Sequence, residues 1–212
     1  MMKSFQGLAF AVAGALFVTL PGTAKAVPIL IVENGQLLGA NNVDVNGTLF
    51  DVRFRDGSCI TLFSGCDNAT EDFAFTDSAS AQAAARALRD QVFFDGVEGN
   101  FDTSPALSSG CSFVFCDFAI PYELTFSSAV DSFFHQTFKN FNDNIQPDEI
   151  VTDVPIPRDF DYTPDITETF AVFTPAGTGV SVTVPEPSSL ALLGLGLAGL
   201  GFARRKGMWR KG

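Results

Sequence analysis

An apolar segment lies near each end of this 212-residue chain, and the two segments confine any globular fold to the residues between them. Near the N-terminus, the apolar run 8–20 follows Lys3 and precedes an Ala-Lys-Ala triplet at 24–26. A basic start, an apolar stretch of about a dozen residues and an A-x-A site are typical of a secretory signal peptide. We therefore predict a signal peptide over residues 1–26, cleavage after Ala26 and export of the remainder.

Three features follow one another in the C-terminal segment. Val-Pro-Glu-Pro at 184–187 precedes an apolar run over 190–203, and the basic cluster Arg204, Arg205 and Lys206 comes next. Two prolines prevent a helix from extending backward, and a basic cluster holds the end of a membrane helix in the cytoplasm. The apolar run is shorter than the roughly 20 residues that normally span a bilayer. This length favours a transient transmembrane anchor.

These C-terminal residues resemble the PEP-CTERM sorting signal of Gram-negative, exopolysaccharide-producing bacteria, and the resemblance covers residues 184–208. It implies export, transient anchoring in the inner membrane through the C-terminal helix, and delivery to the cell surface or the extracellular matrix. It also implies that Pro185, Glu186 and Pro187 are recognised by an exosortase, an integral-membrane cysteine transpeptidase. The chain would then be the substrate of that enzyme, and exopolysaccharide is a candidate partner.

The segment between the two signals is strongly acidic. Residues 27–183 contain 23 acidic and 6 basic side chains, which gives a net charge of −17. Such a charge repels nucleic-acid phosphates and anionic lipid surfaces, so nucleic acid is not an expected partner. No Pro/Ser-rich linker divides the segment, and its length is that of one domain. We predict one secreted acidic domain over 27–183.

Turn dipeptides and alternating hydrophobicity predict an α+β fold for this domain. Asn-Gly or Asp-Gly at 34–35, 46–47 and 56–57 tolerates the positive φ angles of hairpin turns, and apolar residues alternate with polar ones over 50–55. We expect an antiparallel β-meander with one or two packed helices. The predicted strands are 28–33, 42–46, 48–55, 58–63, 112–120, 122–126, 168–174 and 179–183. One helix is predicted over 79–94, and a second is predicted to begin near Ser128. Residues 142–167 are expected to form a long loop or edge-strand region.

The four cysteines, Cys59, Cys66, Cys111 and Cys116, all lie in the part expected to be exported. An even number in an exported chain favours disulfides, for which three pairings are possible. We favour Cys59 with Cys66 and Cys111 with Cys116 because each pair is local in sequence. A four-thiolate zinc site is the alternative, although the gap between the first two cysteines exceeds the usual C-x2-4-C spacing.

Candidate catalytic residues are few. His135 is the only histidine and lies beside Phe134 in the second predicted helix, where a structural role is favoured. No G-x-S-x-G motif is present. We therefore predict a non-enzymatic protein that needs no cofactor. The alternatives are a secreted hydrolase that acts on polysaccharide through carboxylates and a calcium-dependent binding module. The candidate calcium ligands are Asp95, Glu98, Asn100 and Asp102 in one group and Asp159, Asp161 and Asp165 in another.

Overall fold

The computed structural model describes residues 27–142, 146–152, 154–163 and 165–177. The strands in these residues are β1 (Ile29–Glu33), β2 (Gln36–Val45), β3 (Thr48–Arg55), β4 (Asp95–Gly96), β5 (Gly99–Asn100), β6 (Phe115–Thr125), β7 (Ser132–Phe141), β8 (Glu149–Thr152), β9 (Ile156–Pro157) and β10 (Glu168–Pro175). The α-helices are α1 (Cys59–Leu62), α2 (Ala69–Asp72) and α3 (Ser78–Gln91). The fold is therefore α+β in character and dominated by its sheet.

The main sheet contains eight of these strands, in the order β1-β2-β3-β10-β6-β7-β8, with β9 also paired to β7. Its first three strands form the expected antiparallel meander. Asn34 and Asn46 both have a φ of 52°, and the glycine after each also has a positive φ. These are the backbone conformations that Asn-Gly hairpin turns require, so two of the three turn predictions are confirmed. The third dipeptide, Asp56-Gly57, joins β3 to α1 and forms no hairpin.

The strand β10 makes the sheet mixed, which corrects the prediction of an antiparallel meander. It pairs antiparallel with β3 and parallel with β6. Along the chain, β3 is followed by the helices and the β6–β7 hairpin, and β10 comes last. In the sheet, however, β10 lies between β3 and β6. Hydrophobic periodicity identifies a strand but carries no information about which neighbours it joins across the sheet.

Two secondary-structure predictions are wrong. Residues 58–63 were expected to be a strand, but Ser58 and Thr61 form a capping box that begins the short helix α1. The helix expected to begin near Ser128 is instead the strand β7, which lies between β6 and β8 and is buried on both faces. Burial on both faces removes the strict alternation that marks a strand exposed on one side.

The remaining predictions that fall on described residues hold, most of them with changed limits. The two predicted strands at 112–120 and 122–126 form the single strand β6, whose register shifts between Pro121 and Glu123. The region 142–167 contains two short strands, β8 and β9. The predicted signal peptide, the strand at 179–183 and the C-terminal apolar run lie outside the described residues. In the described part of the chain, no helix is long and apolar enough to cross a bilayer.

The helix α3 covers one face of the sheet. Its N-cap Asp77 accepts a hydrogen bond from the backbone N–H of Ser80 at 2.9 Å, which satisfies one of the free N–H groups of the first turn. The small side chains of its buried stripe allow it to lie close to β2, β6 and β7. This stripe consists of Ala81, Ala84, Ala85, Ala87 and Leu88. The larger hydrophobic core lies between α3 and the sheet.

A smaller core forms where the segment that contains α1 and α2 packs against residues of β6, β7 and β10. Phe133 of β7 and Phe170 of β10 are fully buried there, and Tyr162 packs against Phe170 with ring centroids 4.9 Å apart. The disulfide-bonded Cys59 and Cys66 belong to the same cluster. The helix α3 therefore packs on the sheet to form the larger core, and the irregular, disulfide-containing segment packs on the sheet to form the smaller core.

Candidate functional site

The predicted sorting residues Pro185, Glu186 and Pro187, like the basic cluster at 204–206, lie outside the described residues. The described chain ends at Gly177, just after β10. Because β10 pairs with β3 on one side and with β6 on the other, the strand that leads to the sorting segment lies inside the sheet. The C-terminal segment is thus connected to an interior strand of the fold.

The cysteines form two local disulfides, Cys59 with Cys66 and Cys111 with Cys116. All four sulfurs are therefore in disulfide bonds, and no thiolate among them is left to bind zinc. Cys59 and Cys66 are completely buried. Arg158 holds this loop from another part of the chain, since its Nη1 donates to the Cys66 carbonyl oxygen at 2.7 Å. The two bridges stabilise the segments next to the sheet.

Three of the carboxylates considered as calcium ligands, Asp95, Asp161 and Asp165, accept hydrogen bonds within their own loops. Asp95 accepts hydrogen bonds from the backbone N–H and the hydroxyl of Thr103. Asp165 accepts from the backbone N–H and the hydroxyl of Thr167, and Asp161 accepts from the backbone N–H of Thr163. Among the described residues, no group of three or more His, Cys, Asp or Glu side chains is arranged to hold a metal ion.

His135 lies on the strand β7 and not on a helix, which corrects the prediction for its position. It is 1% exposed, and its ring centroid lies 5.5 Å from that of Phe133. The backbone partner of His135 on β6 is Pro121. The histidine is therefore part of the packed interior, and a bulky polymer on the surface would not reach it.

A row of three charged residues crosses neighbouring strands of the sheet. Glu168 of β10 is the backbone partner of Asp117 of β6, and Asp117 is the backbone partner of Lys139 of β7. Lys139 Nζ donates a hydrogen bond to Asp117 Oδ2 and forms an ion pair with it. The side chain of Asp117 is 12% exposed and that of Lys139 is 23% exposed. We call Glu168, Asp117 and Lys139 the charged row.

The environment of Glu168 favours its neutral form. Burial raises the pKa of its carboxyl above the usual value, and the negative charge of Asp117 acts in the same direction. The electrostatic interaction with His135, a hydrogen bond with Tyr162 and the charge of Lys139 oppose this rise in the pKa of Glu168. The charged row thus combines an amine, a carboxylate and a second carboxyl group that keeps its proton to a higher pH than usual. Of these groups, the Lys139 amine and the Asp117 carboxylate are in direct hydrogen-bonding contact.

Sequence reasoning did not identify the charged row. Lys139 and Glu168 lie 22 and 51 residues after Asp117 along the chain, and only the strand register brings the three together. One signal was available, because Lys139 is the only lysine in residues 27–183. A single lysine in an otherwise acidic domain is a reason to ask which carboxylate it meets.

A separate half-buried carboxylate, Asp56, should make the free energy of unfolding depend on pH. Burial raises the pKa of Asp56, the nearby Asp161 and Asp165 raise it further, and the Thr169 hydroxyl opposes them. A raised folded-state pKa stabilises the fold at low pH, and this stabilisation is lost as the pH rises through the folded-state pKa. We expect Asp56→Asn to weaken the decline in unfolding free energy that begins as the pH rises above 3.8, the ordinary pKa of an aspartate carboxyl. Urea denaturation at a series of pH values measures this decline.

The control for this measurement is Asp159→Asn, which changes an exposed carboxylate of the same chain. It is expected to alter the pH dependence of the unfolding free energy less than Asp56→Asn does. An unchanged or steeper decline in the Asp56→Asn variant would contradict the role assigned to Asp56.

Comparison with known families identifies the C-terminal segment. Residues 183–206 match the family model of the PEP-CTERM protein-sorting motif, which confirms the resemblance described above. No curated protein and no solved structure matches the chain. The motif implies exosortase-dependent sorting of an exported protein to the cell envelope or surface.

Proposed function

We propose that this chain is a non-enzymatic protein of the cell surface or exopolysaccharide matrix, and that an exosortase processes it at Pro185, Glu186 and Pro187 after transient anchoring in the inner membrane. The observation that carries the proposal is the sorting motif at residues 183–206. The motif makes the chain a substrate of the sorting enzyme, and the domain at 27–177 is the cargo that is delivered.

The fold supports processing at this position. The last described strand, β10, ends at Pro175, and Ala176 still donates a backbone hydrogen bond to Leu49. A cut within the motif would therefore remove no strand or helix of the described domain. Because β10 is paired on both sides, the domain should stay folded whether or not the sorting segment is attached.

The chemistry of the domain suits an exported protein. Its two disulfides are of a kind that persists in oxidising compartments outside the cytoplasm. Its net charge of −17 over residues 27–183 favours solubility and opposes adsorption to anionic surfaces. Both properties are expected of a protein that works in a hydrated matrix.

The surface geometry favours a non-catalytic role. An open groove of about 620 Å³ lies between α3 and the β2–β3 turn, and its charged side chains are Asp44, Arg86 and Asp90. Among the residues that the structure describes, the groove lining includes no Ser, Thr, Cys or His, so the groups there that could act as a base or nucleophile are the carboxylates Asp44 and Asp90. The one histidine is instead buried, and the side chains of the Lys139–Asp117 pair are largely excluded from solvent. A hydrolase that used this groove would therefore have to work through Asp44 and Asp90 alone, without a serine, cysteine or histidine.

Replacing the motif tests the sorting claim. In a host that contains an exosortase, a variant with Pro185→Ala, Glu186→Ala and Pro187→Ala should accumulate uncut in the inner-membrane fraction, whereas the wild type should be found in the surface or matrix fraction. Recognition requires the extended Pro-Glu-Pro segment, which alanine does not maintain. Immunoblotting of the separated fractions measures the distribution.

The matched control changes Ser188 and Ser189, next to the motif, to alanine and should leave sorting intact. Equal delivery of the Pro-Glu-Pro variant and the wild type would overturn the sorting claim. The non-enzymatic claim is tested by incubating the purified protein with the exopolysaccharide of its host. Product release that a single Asp or Glu substitution abolishes would overturn that claim.

A further inference from the structure

In the charged row, the amine of Lys139, a potential nucleophile, lies directly beside the carboxyl group of Asp117, whose carbon is a potential electrophile. Lys139 and Asp117 are backbone partners on adjacent antiparallel strands, and their side chains are in hydrogen-bonding contact. Glu168 is the partner of Asp117 on its other side, so a second carboxyl group flanks the pair. Both side chains of the pair are largely excluded from solvent. A surface ion pair would need neither this burial nor the second carboxyl group.

We propose that Lys139 Nζ and Asp117 Cγ become joined by an intramolecular isopeptide bond after folding, with Glu168 as the group that transfers protons. The bond is an amide between two side chains, and it would link β6 covalently to β7. It is independent of the sorting proposal because it rests only on the described residues.

The reaction balances without any added reagent. A proton passes from the Lys139 ammonium to the Asp117 carboxylate, and the neutral Nζ then attacks Cγ to give a tetrahedral intermediate. The Glu168 carboxyl group donates its proton to the departing hydroxyl, the Cγ–O bond breaks and water leaves. Glu168 then recovers a proton from the new amide nitrogen. Overall, one ammonium and one carboxylate become one amide and one water molecule.

The fold supplies the conditions that this reaction needs. Holding two reacting groups in contact is equivalent to an effective concentration of about 10⁵–10⁸ M in the best oriented cases. Glu168 adjoins the smaller core, because it hydrogen-bonds to the buried Tyr162 and lies two residues before the buried Phe170 on β10. This apolar packing beside the row limits access of water, which opposes hydrolysis of the product. The raised pKa of Glu168 keeps a proton available for the leaving hydroxyl.

The bond would have a structural consequence. It would close the chain between residues 117 and 139 with a link that, unlike the two disulfides, reducing agents do not cleave. It would also reinforce β6, the strand that pairs with β10 at Asp117 and Glu168. Because β10 leads to the sorting segment, the link would strengthen the part of the sheet that carries the C-terminal attachment.

Tryptic digestion of the full chain, reduced and alkylated, tests the proposal directly. Trypsin cleaves after a free lysine, so an unlinked chain yields separate peptides 90–139 and 140–158. The linked chain should instead yield one peptide, 90–158, that is lighter than the linear sequence by one water molecule. An amine-reactive reagent should also fail to label Lys139 in the denatured protein. Complete cleavage and labelling at Lys139 in the wild type would overturn the proposal.

Three variants assign the roles. Lys139→Arg keeps the positive charge but removes the nucleophilic amine, and Glu168→Gln keeps the shape but removes the acidic proton. Both should give peptides without the loss of water. The matched control is Glu149→Gln, which changes the carboxylate beside Lys139 on β8 and should leave the link intact. A linked product in Glu168→Gln would overturn the role of Glu168, and circular dichroism checks that each variant is folded.

Discussion

Phe118→Ala is expected to lower the free energy of unfolding by about 3–5 kcal/mol, the usual cost of removing a fully buried aromatic side chain. Phe118 is completely buried on the interior strand β6. Its ring centroid lies 4.6 Å from that of Phe54, 4.7 Å from that of Phe93 and 5.8 Å from that of Phe138. The substitution removes the centre of this aromatic cluster, and the rigid sheet around it cannot collapse to fill the cavity.

The measurement is urea denaturation followed by circular dichroism. The matched control is Phe94→Ala, because Phe94 follows a buried phenylalanine in sequence but is itself 47% exposed. This control is expected to change the unfolding free energy by about 1 kcal/mol or less. Equal losses in the two variants would show that the larger core is not organised around Phe118.

Removal of the Cys59–Cys66 disulfide should have the second largest effect on the free energy of unfolding. We expect Cys59→Ala with Cys66→Ala to lower the free energy of unfolding by about 2–4 kcal/mol, as the loss of a native disulfide typically does. The bridge closes a short loop, with a sequence separation of 7, so part of the loss comes from the freedom regained by the unfolded chain. The remainder comes from packing, since both cysteines are fully buried in the smaller core.

The corresponding control is Cys111→Ala with Cys116→Ala, which removes a bridge of sequence separation 5. The shorter loop should give a slightly smaller loss because less chain entropy is regained. Urea denaturation of the wild type under reducing conditions should show the combined loss. If the Cys59 and Cys66 variant unfolds at the same urea concentration as the wild type, the stabilising role of the bridge is contradicted.

The local features of the fold could be predicted from the sequence because they depend on local chemistry. Asn34 and Asn46, each followed by glycine, specified the turns of the β1–β2–β3 meander, and a cap residue followed by an alanine-rich stripe specified α3. The disulfide pairing follows from the same principle, since each pair of cysteines is close in sequence. In these cases the interacting residues are near neighbours along the chain.

The other features depend on contacts between distant residues. The strand β7 has Phe133, Phe134, Phe138 and Phe141 at spacings that also suit a helix, and only its position between β6 and β8 selects the extended conformation. The insertion of β10 beside β6 cannot be deduced from the composition of either strand. The charged row depends on that insertion, because Glu168 meets Asp117 only through the β10–β6 register.

The most direct test of the sorting proposal is the C-terminus of the protein recovered from the surface or matrix fraction. Tryptic digestion and mass spectrometry of that protein should give a final peptide that begins at Asp159 and ends at or next to Pro185, Glu186 and Pro187. The same peptide should be missing from cells that lack the exosortase. A final peptide that continues through the apolar run 190–203 in protein from the surface fraction would contradict exosortase processing.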